Sequence, residues 1–576
     1  MNLLQLDDDT LVLIFGFLPV SSIIVLRQTC QRLASISKLR FIWRQACIDQ
    51  VLSKGYPFPA RQLANTLPVS DLERQVIRSL RLGAFWTSSV EDPSPRSLEF
   101  QASTGTGVSH VRFLSGRGGR YLVTVYKGIW SMISCWDIGD PFRSAKAHKV
   151  GDWCPKNTIF SGFVVNSDPE SAAALAVAVQ HGGGTQSIEV LSVTNQDGTS
   201  CFQPICSIAT TFRPIALRGE LIAFSDDGSE TVVMNWRENT FALLKGAQRP
   251  IDERFQYNRC LQVVFAYKSI LVVRARTVEL FSDPELRPTD AAEHATYQPI
   301  GSHSFGWIDG VAVSSQSEPL LDTVEASPRP RHEPLSIVLR AESDDPWASD
   351  VHKLEQFVLA PNPAFESDPP ATAPGMEKPK PATDSPGAPR ADSMLEPPTP
   401  APYIFPPTRA EHTSPTVRGF LRCRDIALGP AGTALWIQPR AARTAHLTGF
   451  DVHSSSTQVA DGMNPDFDFL HPAAAPLGPD DALAQTQADV GSGGLAVGSA
   501  GSHAEALCAA VFAGPLQRRG FGSEPVGAET RTRTKTKTLC VQRKEGCNWT
   551  AFDYDEEGGR VALGSSDGSV TVLDLV

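Results

Sequence analysis

Repeated strand–turn–strand units dominate the sequence from about residue 98 onward. In the last unit, "GGRVALGSSDGSVTVLDLV", Val561 and Leu563 alternate in one strand and Asp567-Gly568 forms a tight turn, because glycine accepts the positive φ that hairpin turns require. Where no insertion intervenes, the units recur at about 45–55 residues, a period close to that of a four-stranded blade. The same pattern recurs in six upstream stretches: "GRYLVTVYKGIWSMISCWDI", "AALAVAVQHGGGTQSIEVLSV", "GELIAFSDDGSETVVMNW", "SILVVRARTVELF", "PLSIVLRAESDDPWASDVHKLEQFVLA" and "AGTALWIQPRAARTAHLTGFDVHS".

Two arrangements of these strands remain open: a pair of β-sandwiches and a radial array. Repeats at one period without helices between them favour radial stacking, which protects strand edges. The units resemble a degenerate WD-repeat β-propeller over 98–576, with one Trp-Asp dipeptide at Trp136-Asp137 and two Ser-Asp-Gly-type turns, although Gly-His dipeptides are absent. The resemblance implies about seven blades. We expect "SLEFQAS" near 97–103 to add an outer strand to the last blade and close the ring.

The N-terminal stretch "LDDDTLVLIFGFLPVSSIIVLRQTC" contains an apolar run that follows three aspartates, Asp7–Asp9. A signal peptide needs a positive segment before its apolar run, and no Lys or Arg precedes Arg27. The run is about half the length needed to span a bilayer, and no later segment is long enough. We therefore expect neither secretion nor a membrane partner.

The three aspartates predict a helix start, with one of them as N-cap, because the first N–H groups of a helix lack partners and its dipole is positive there. One helical face then carries Leu11, Ile14, Phe15 and Leu18. Further apolar residues point elsewhere: Val12, Leu13 and Phe17. Such a short helix, apolar nearly all round, needs cover on more than one side.

Two more short helices are predicted after Pro19, which ends the first. Ser21 or Ser22 is expected to cap the second, whose inner stripe is Ile23, Leu26, Cys30 and Leu33. The third carries Leu39, Ile42, Trp43 and Ala46 on one face. Three short helices in about fifty residues make a marginal core, so burial shared with a partner would add the missing stability.

Residues 3–49 resemble an F-box through an opening leucine segment, an "L-x-x-I-F-x-F-L" helix, an "S-x-x-x-L-x-x-x-C-x-x-L" helix and a late tryptophan. The resemblance implies a helical module over 1–50 that docks on the Skp adaptor of a cullin–RING ubiquitin ligase. The usual Leu-Pro at the start is Leu6-Asp7 here, which is expected to weaken that contact. The alternative is an ordinary set of core helices packed on the rest of this chain, but the length and order of the pattern favour the F-box. The positions that match the adaptor-facing pattern are Leu6, Ile14, Phe15, Leu18, Pro19, Leu26 and Cys30, with Trp43 as the closing aromatic.

Residues 51–97 read as a linker that contains one further helix, "SDLERQVIRSLRLGAFW". Ser70 and Glu73 fit a capping box, and an apolar line follows at Leu72, Val76 and Leu80. A rigid stalk between two domains and a plain packing helix both predict this burial, so the sequence leaves the two open.

Two insertions interrupt the strand repeats. Residues 361–417 are dense in proline and alanine, and 454–503 are rich in alanine, glycine and aspartate, so both are predicted to be disordered or flexible loops. Ser385, Thr399 and Ser414 precede prolines in the first insertion. An unmodified spacer is favoured over proline-directed phosphorylation at these steps.

The segment "RTRTKTKT" at 531–538 places basic residues on one side of an extended chain. An anion-binding edge or an import signal is one interpretation. A solvated edge strand, on which lysine and arginine discourage aggregation, is the favoured one.

Composition restricts the function further. The net charge is −11 with a pI near 5.6, so a sequence-independent grip on nucleic acid is not expected. The eleven cysteines include no C-x-x-C pair, which favours reduced thiols in the cytoplasm or nucleus over disulfides or zinc. "HGGGT" at 181–185 resembles an oxyanion motif, but it lacks a G-x-S-x-G partner and lies where a hairpin turn belongs. We predict no catalytic residue, no metal site and no cofactor.

These inferences combine into a multidomain α plus all-β chain, in which an F-box module precedes a β-propeller. The expected function is the substrate receptor of a ubiquitin ligase, with a Skp-family adaptor and, through it, a cullin as partners. An unknown target protein would bind the propeller. The alternatives are a propeller scaffold without ubiquitin transfer and a propeller hydrolase with carboxylates in its central channel.

Overall fold

In the part that the structure describes, the chain contains an N-terminal helical unit and seven mainly antiparallel sheets arranged around an axis. The prediction of a seven-bladed propeller is confirmed. A computed structural model describes residues 5–59, 67–88, 95–139, 146–194, 201–247, 258–289, 295–316, 332–342, 351–365, 400–417, 423, 425–439, 505–520, 536–539, 541 and 547–576.

The described part of the helical unit contains five α-helices. They are α1 (Asp8–Phe17), α2 (Val20–Arg27), α3 (Gln31–Ile36), α4 (Arg40–Ala46) and α5 (Val69–Thr87), with a π-helical turn (Cys47–Val51) and a 3₁₀ turn (Leu52–Lys54) after α4. Asp7 is the N-cap of α1, where its Oδ1 accepts a hydrogen bond from the Thr10 N–H at 2.7 Å. The prediction that one of the aspartates caps the first helix is confirmed.

Two predicted helix starts were wrong. The second helix begins at Val20 rather than after Ser21 or Ser22, with Pro19 in the N-cap position. It also ends at Arg27, so its predicted stripe is divided between α2 and α3. A proline at the N-cap also precedes α5, and the predicted capping box does not form, because Glu73 accepts hydrogen bonds from the Arg27 guanidinium instead.

Each blade of the propeller has four main strands. The first strands in chain order are β1 (Arg96–Gln101), then β2 (Val108–Phe113), β3 (Tyr121–Lys127), β4 (Ser131–Asp137) and β5 (His148–Trp153) in blade 1, and β6 (Thr158–Val165), β7 (Leu175–His181), β8 (Gln186–Val193) and β9 (Phe202–Ala209) in blade 2. Blade 3 has β10 (Arg213–Arg218), β11 (Leu221–Ser225), β12 (Glu230–Asn235) and β13 (Thr240–Lys245) and is extended by β17 (Arg287–Pro288) and β18 (Thr296–Tyr297), while blade 4 has β14 (Cys260–Ala266), β15 (Ser269–Arg274), β16 (Thr277–Ser282) and β19 (Gly301–Ser304).

The remaining strands are β20 (Trp307–Ser315), β21 (Leu335–Glu342), β22 (Val351–Leu359) and β23 (Thr408–Val417) in blade 5, β24 (Ile426–Leu428), β25 (Thr433–Pro439), β26 (Glu505–Val511) and β27 (Lys537–Leu539) in blade 6, and β28 (Trp549–Asp555), β29 (Arg560–Ser565) and β30 (Ser569–Asp574) in blade 7.

The ring is closed by β1, which pairs antiparallel with β30 at the outer edge of blade 7. The register places Phe100 opposite Val570. The first and last strands of the propeller therefore share one sheet, as predicted for "SLEFQAS". This pairing covers the outer edge of β30, whose backbone N–H and C=O groups would otherwise lack strand partners.

The first strand of each blade lies innermost, against the first strands of its two neighbours. Seven apolar clusters fill the spaces between adjacent blades, and an eighth fills the helical unit. Alternation along the strands produces this arrangement, because successive side chains point to opposite faces of a sheet. In blade 7, Val561 and Leu563 face blade 6 while Ala562 faces blade 1.

Helix α5 joins the helical unit to the propeller. Its N-terminal half contributes Leu72 and Val76 to the core of the helical unit, and its C-terminal half places Leu82, Phe85 and Trp86 in the cluster between blades 6 and 7. A single uninterrupted helix thus belongs to two cores. Helix α5 therefore acts both as a stalk between the two parts of the chain and as a packing helix, the two alternatives that the sequence left open.

The predicted limits of the insertions need correction. Residues 400–417 were predicted to be disordered, but Thr408–Val417 forms β23 and pairs with β22, and it contains Ser414. The partner of β25 is β26 at 505–511, not the adjacent "AARTAHLTGFDVHS". Outside the described residues lie Ser385, Thr399, the second insertion at 454–503 and 531–535.

Two smaller predictions are settled by the sheets. The "HGGGT" stretch forms the turn between β7 and β8, as expected. The end of "RTRTKTKT" contributes β27, which is the outermost strand of blade 6. The described part of that segment is thus an edge strand.

Candidate adaptor-binding face

Helix α1 presents apolar side chains both inward and outward. Leu11 and Phe15 are buried in the core of the helical unit. On the opposite side, Leu13 is 59% exposed and Phe17 is 90% exposed. Phe17 has no cover from the rest of the described chain, although large apolar side chains are seldom left so open.

The neighbouring helices also carry exposed apolar side chains. Val25 of α2 is 61% exposed, and Leu39 and Phe41 at the start of α4 are also exposed. Phe41 lies against α1, since a Cβ added at Gly16 would be 4.0 Å from the Phe41 ring. We define the apolar face as Leu13, Phe17, Val25, Leu39 and Phe41.

The residues predicted to bind the adaptor fall into two groups. Phe15 and Trp43 are almost completely buried inside the helical unit. The other predicted residues reach the surface: Pro19 is exposed, and Leu6, Ile14, Leu18, Leu26 and Cys30 are half-buried. The adaptor contact of all eight residues stays a prediction.

The sequence pattern also indicates two outward members of the apolar face. Leu13 and Phe17 lie outside the inner stripe of α1, and a solvated helix would place polar residues there. The F-box resemblance instead points to residues of the inner stripe. That stripe contains Phe15, which stabilises the module from within.

Gln50 fixes the corner between α1 and α2. Its Oε1 accepts a hydrogen bond from the Val20 N–H at 3.0 Å, and its Nε2 donates to the Leu18 carbonyl at 3.0 Å. Both backbone groups of the corner are therefore satisfied by one side chain. Leu18 and Pro19 are thus held in a defined position next to the apolar face.

Arg27 joins four parts of the helical unit. Its guanidinium donates to Glu73 of α5 at 2.6 and 3.0 Å and to the Ser37 hydroxyl at 2.9 Å. It also lies over the Trp43 ring, 5.6 Å from the centroid, and Trp43 Nε1 donates to the Ser37 carbonyl at 2.8 Å. A two-point arginine–carboxylate contact restricts orientation as well as distance, so α2, α4 and α5 are locked together.

Residues 3–45 match the F-box domain family model. The N-terminal helices form an F-box domain. With the seven blades behind it, the chain is an F-box protein with a β-propeller.

Similarity over the whole chain carries no functional information. No curated protein sequence matches the chain. Similar solved structures include one titled as an active polycomb repressive complex 2 in the basal state (11% identity, 84% of this chain and 97% of that chain, TM-score 0.39), one of the Chaetomium thermophilum Polycomb Repressive Complex 2 bound to GSK126 (10%, 84% and 99%, 0.39) and one of the Mitotic Checkpoint Complex (6%, 84% and 97%, 0.40). These identities and TM-scores are too low to support any inference about function.

The Leu6-Asp7 departure of this F-box has a structural role. Asp7 caps α1, and its hydrogen bonds to Thr10 lower the pKa of the carboxyl group. Arg32 of α3 donates to the Leu6 carbonyl and to Asp8 Oδ1, both at 2.7 Å. The start of the F-box is therefore fixed by polar contacts in this chain.

The F-box is held on the propeller through close backbone approaches. A Cβ at Gly83 of α5 would lie 2.5 Å from the Tyr56 ring, and a Cβ at Gly559, in the β28–β29 turn, would lie 2.5 Å from Leu82. Lys537 of β27 donates to the Phe85 carbonyl and its Nζ lies 5.0 Å from the Phe85 ring centroid. The orientation of the F-box is thus set by packing against blades 6 and 7.

The chemistry-bearing groups at the propeller centre are engaged with one another. Arg112 of β2 donates to the Phe552 carbonyl at 2.7 Å and lies 3.8 and 4.0 Å from the carboxylates of Asp425 and Asp553. Burial raises the pKa of Asp553, partly offset by Arg112. Within the described ranges, no group of three or more His, Cys, Asp or Glu side chains is placed to hold a metal ion. No helix there has the length and hydropathy to cross a membrane.

Proposed function

We propose that this chain is the substrate-recognition subunit of a Skp–cullin–F-box ubiquitin ligase. The F-box domain binds the Skp-family adaptor, which connects it to a cullin, and the propeller binds a target protein. The chain itself acts without a catalytic residue, because ubiquitin transfer needs only a target lysine held near the charged conjugating enzyme.

The observation that carries this proposal is the shared helix α5. Leu72 and Val76 are buried in the F-box core, and Leu82, Phe85 and Trp86 are buried between two blades. A target on the propeller is then held at a fixed distance and angle from whatever binds the F-box. Rigid positioning of this kind raises the effective concentration of the reacting groups.

The apolar face supports the same proposal, since it lies on the part of the F-box that α5 and the propeller leave open. Its five large side chains remain accessible in the described chain. Several exposed large apolar side chains on one small domain are typical of a protein-binding site. The ten cysteines within the described residues are free thiols, which suits action in the cytoplasm or nucleus.

The adaptor contact is tested by changing exposed residues only. Charging Phe15 would disrupt the F-box core, whereas Leu13→Glu and Phe17→Glu place charges in solvent and spare the fold. We expect co-purification of the adaptor and the cullin to fall at least about tenfold, because a contact of this type contributes more than about 1.4 kcal/mol.

The matched control is Ile300→Glu, which charges an exposed apolar residue of the propeller. Thermal unfolding of all variants verifies folding. Adaptor binding that is equal in Phe17→Glu and in the control would refute the proposed face. Adaptor binding without any cullin in the complex would instead favour a scaffold without ubiquitin transfer.

A further inference from the structure

A second apolar surface lies on the propeller, at the opposite ends of the strands from the F-box. The F-box contacts the turn between the first and second strands of blade 7, at Gly559. The exposed side chains of Ile129 and Trp130 occupy the turn between the second and third strands of blade 1. Because the strands are antiparallel, these two kinds of turn lie on opposite faces of the propeller. An adaptor on the F-box therefore leaves this surface open.

The surface extends from blade 1 to blade 2. Ile129 is 85% exposed, Trp130 is 51% exposed, and Ile159 at the start of β6 is also exposed. The Phe160 N–H donates a hydrogen bond to the Ser131 hydroxyl at 3.0 Å. Trp130 directly precedes Ser131 and Ile159 directly precedes Phe160, so this bond brings the two backbone segments together. Of the six exposed large apolar side chains in the described propeller, these three belong to the two backbone segments that this hydrogen bond joins.

The turn that carries this surface is held in place. The Gly128 N–H donates to the Trp130 carbonyl at 3.1 Å, and a Cβ at Gly128 would be 3.5 Å from Thr106 Oγ1 of the neighbouring loop. Ser131, the next residue after Trp130, is fully buried. The exposed aromatic ring is therefore presented on a defined backbone, which lowers the entropy lost on binding.

Basic groups adjoin the apolar residues. Lys127 is exposed at the end of β3, two residues before Ile129. Arg213 of blade 3 packs against Gly162 of β6, where an added Cβ would be 3.2 Å from Arg213 Cβ. The protein around the Lys127 ammonium group partly desolvates it, which lowers its pKa although the side chain reaches the surface, and the charge of Arg213 lowers this pKa further. Arg213 pairs with Asp227 at 2.7 Å.

Lys127 is the uncompensated charge of this surface. Among the described residues, no carboxylate lies within ion-pair distance of its ammonium group. The nearby imidazole of His110 is neutral at pH 7, because burial and the charges of Arg112 and Lys127 lower its pKa to about 3. A cation next to another cation is stabilised when an anion binds, so the local charge favours an acidic ligand.

We propose that Lys127, Ile129, Trp130 and Ile159 form a docking surface for a peptide segment in which an acidic side chain stands close to a large apolar one. The carboxylate pairs with Lys127 and the apolar side chain packs on Trp130 and the two isoleucines. This surface rests on the proposed function, since it defines the class of target segment that the receptor recognises. Rigid aromatic residues next to a charged group are typical of binding hot spots.

The experiment is a selection from a random twelve-residue peptide library displayed on phage, with the full-length protein immobilised. We expect selected peptides to be enriched in Asp or Glu together with Leu, Ile, Phe or Trp. Affinity of a selected peptide is expected to fall at least about tenfold in Trp130→Ala. Lys127→Glu is expected to reverse the selected charge from acidic to basic.

Matched controls use the same two propeller blades. Lys146→Glu changes an exposed cation in the β4–β5 connection, and Ile205→Ser changes an exposed apolar residue on outer strand β9. Neither should alter the selection. No enrichment, enrichment of basic peptides, or binding that is insensitive to both Lys127→Glu and Trp130→Ala would overturn the docking surface. Adaptor co-purification, measured on the same variants, reports separately on the proposed ligase role.

Discussion

Arg27 and Glu73 form a two-point ion pair between α2 and α5, with Nη1–Oε1 at 2.6 Å and Nη2–Oε2 at 3.0 Å. The pair is partly shielded from water and is the polar link between the F-box helices and the helix that enters the propeller. It also explains why Glu73 does not cap α5.

Glu73→Gln is therefore expected to destabilise the F-box. The amide keeps the shape of the carboxylate but loses its charge and one of its two acceptor positions, so the free energy of unfolding should fall by about 1–3 kcal/mol. Chemical denaturation measures the change. The control is Asp71→Asn, which removes an exposed pair at 3.7 Å with Arg74 and should cost less than about 1 kcal/mol. If Glu73→Gln and Asp71→Asn lowered the free energy of unfolding equally, the Arg27–Glu73 pair would not stabilise the F-box more than an exposed pair does.

Closure of the ring gives a second prediction. Phe100 of β1 lies opposite Val570, and its ring centroid is 4.8 Å from that of Trp136. Phe100→Asp places a charge against this apolar contact and should lower the free energy of unfolding of the propeller by about 2–3 kcal/mol. Thermal unfolding measures this loss of stability. Glu99→Ala alters the adjacent exposed position and should stay within about 0.5 kcal/mol of the parent. If Phe100→Asp left the free energy of unfolding unchanged, β1 would contribute nothing to closure of the ring.

The blades were predictable because local rules and the final fold agree. Val561 and Leu563 alternate in β29 as the sequence predicts, and Asp567-Gly568 forms the turn to β30. Local alternation is sufficient here, because each side chain only has to face one neighbouring blade. The pairing of β25 with β26 was not predictable. About 65 residues separate the two strands, and periodicity carries no information on pairing across such a distance.

The candidate site was harder to predict than the fold. Phe15 and Phe17 both belong to an apolar helix, and only packing of α1 against α4 determines that Phe15 lies inside and Phe17 outside. Periodicity identifies an inner stripe but cannot show which further apolar residues a partner covers. Strand β23 was not predicted for a different reason. The high proline content of 361–417 indicates disorder, yet the end of this segment pairs with β22 through its backbone.

The continuous helix α5 supports a third prediction. Arg81 is exposed and lies between the residues that enter the F-box core and those that enter the blade 6–7 cluster. Arg81→Pro removes a helical hydrogen bond and clashes with the preceding turn, which costs about 3 kcal/mol. We expect calorimetry to resolve separate unfolding of the F-box and of the propeller. Arg81→Ala keeps the helix and should unfold like the parent. One shared transition in Arg81→Pro would contradict coupling through α5.

The last prediction concerns Glu556, in the β28–β29 turn near the F-box junction. Its Oε2 accepts a hydrogen bond from the Ala431 N–H at 2.8 Å and its Oε1 accepts one from the Thr433 N–H at 3.2 Å. Burial nevertheless raises the pKa of this carboxyl group from 4.5 to about 7. Burial also raises the pKa values of Asp553 and Asp555, so all three act in the same direction.

The sign of the effect follows from proton linkage. Between about pH 4.5 and 7 the folded state binds the Glu556 proton more tightly than the unfolded state, so the free energy of unfolding falls as pH rises through this window. The contribution of Glu556 is about 3 kcal/mol at most. Glu556→Gln should make the pH dependence shallower, measured by urea denaturation across the window. Glu238→Gln, an exposed carboxylate in the β12–β13 turn, should leave the slope unchanged. A slope that is identical in Glu556→Gln and the parent would show that Glu556 titrates at its ordinary pKa in the folded protein.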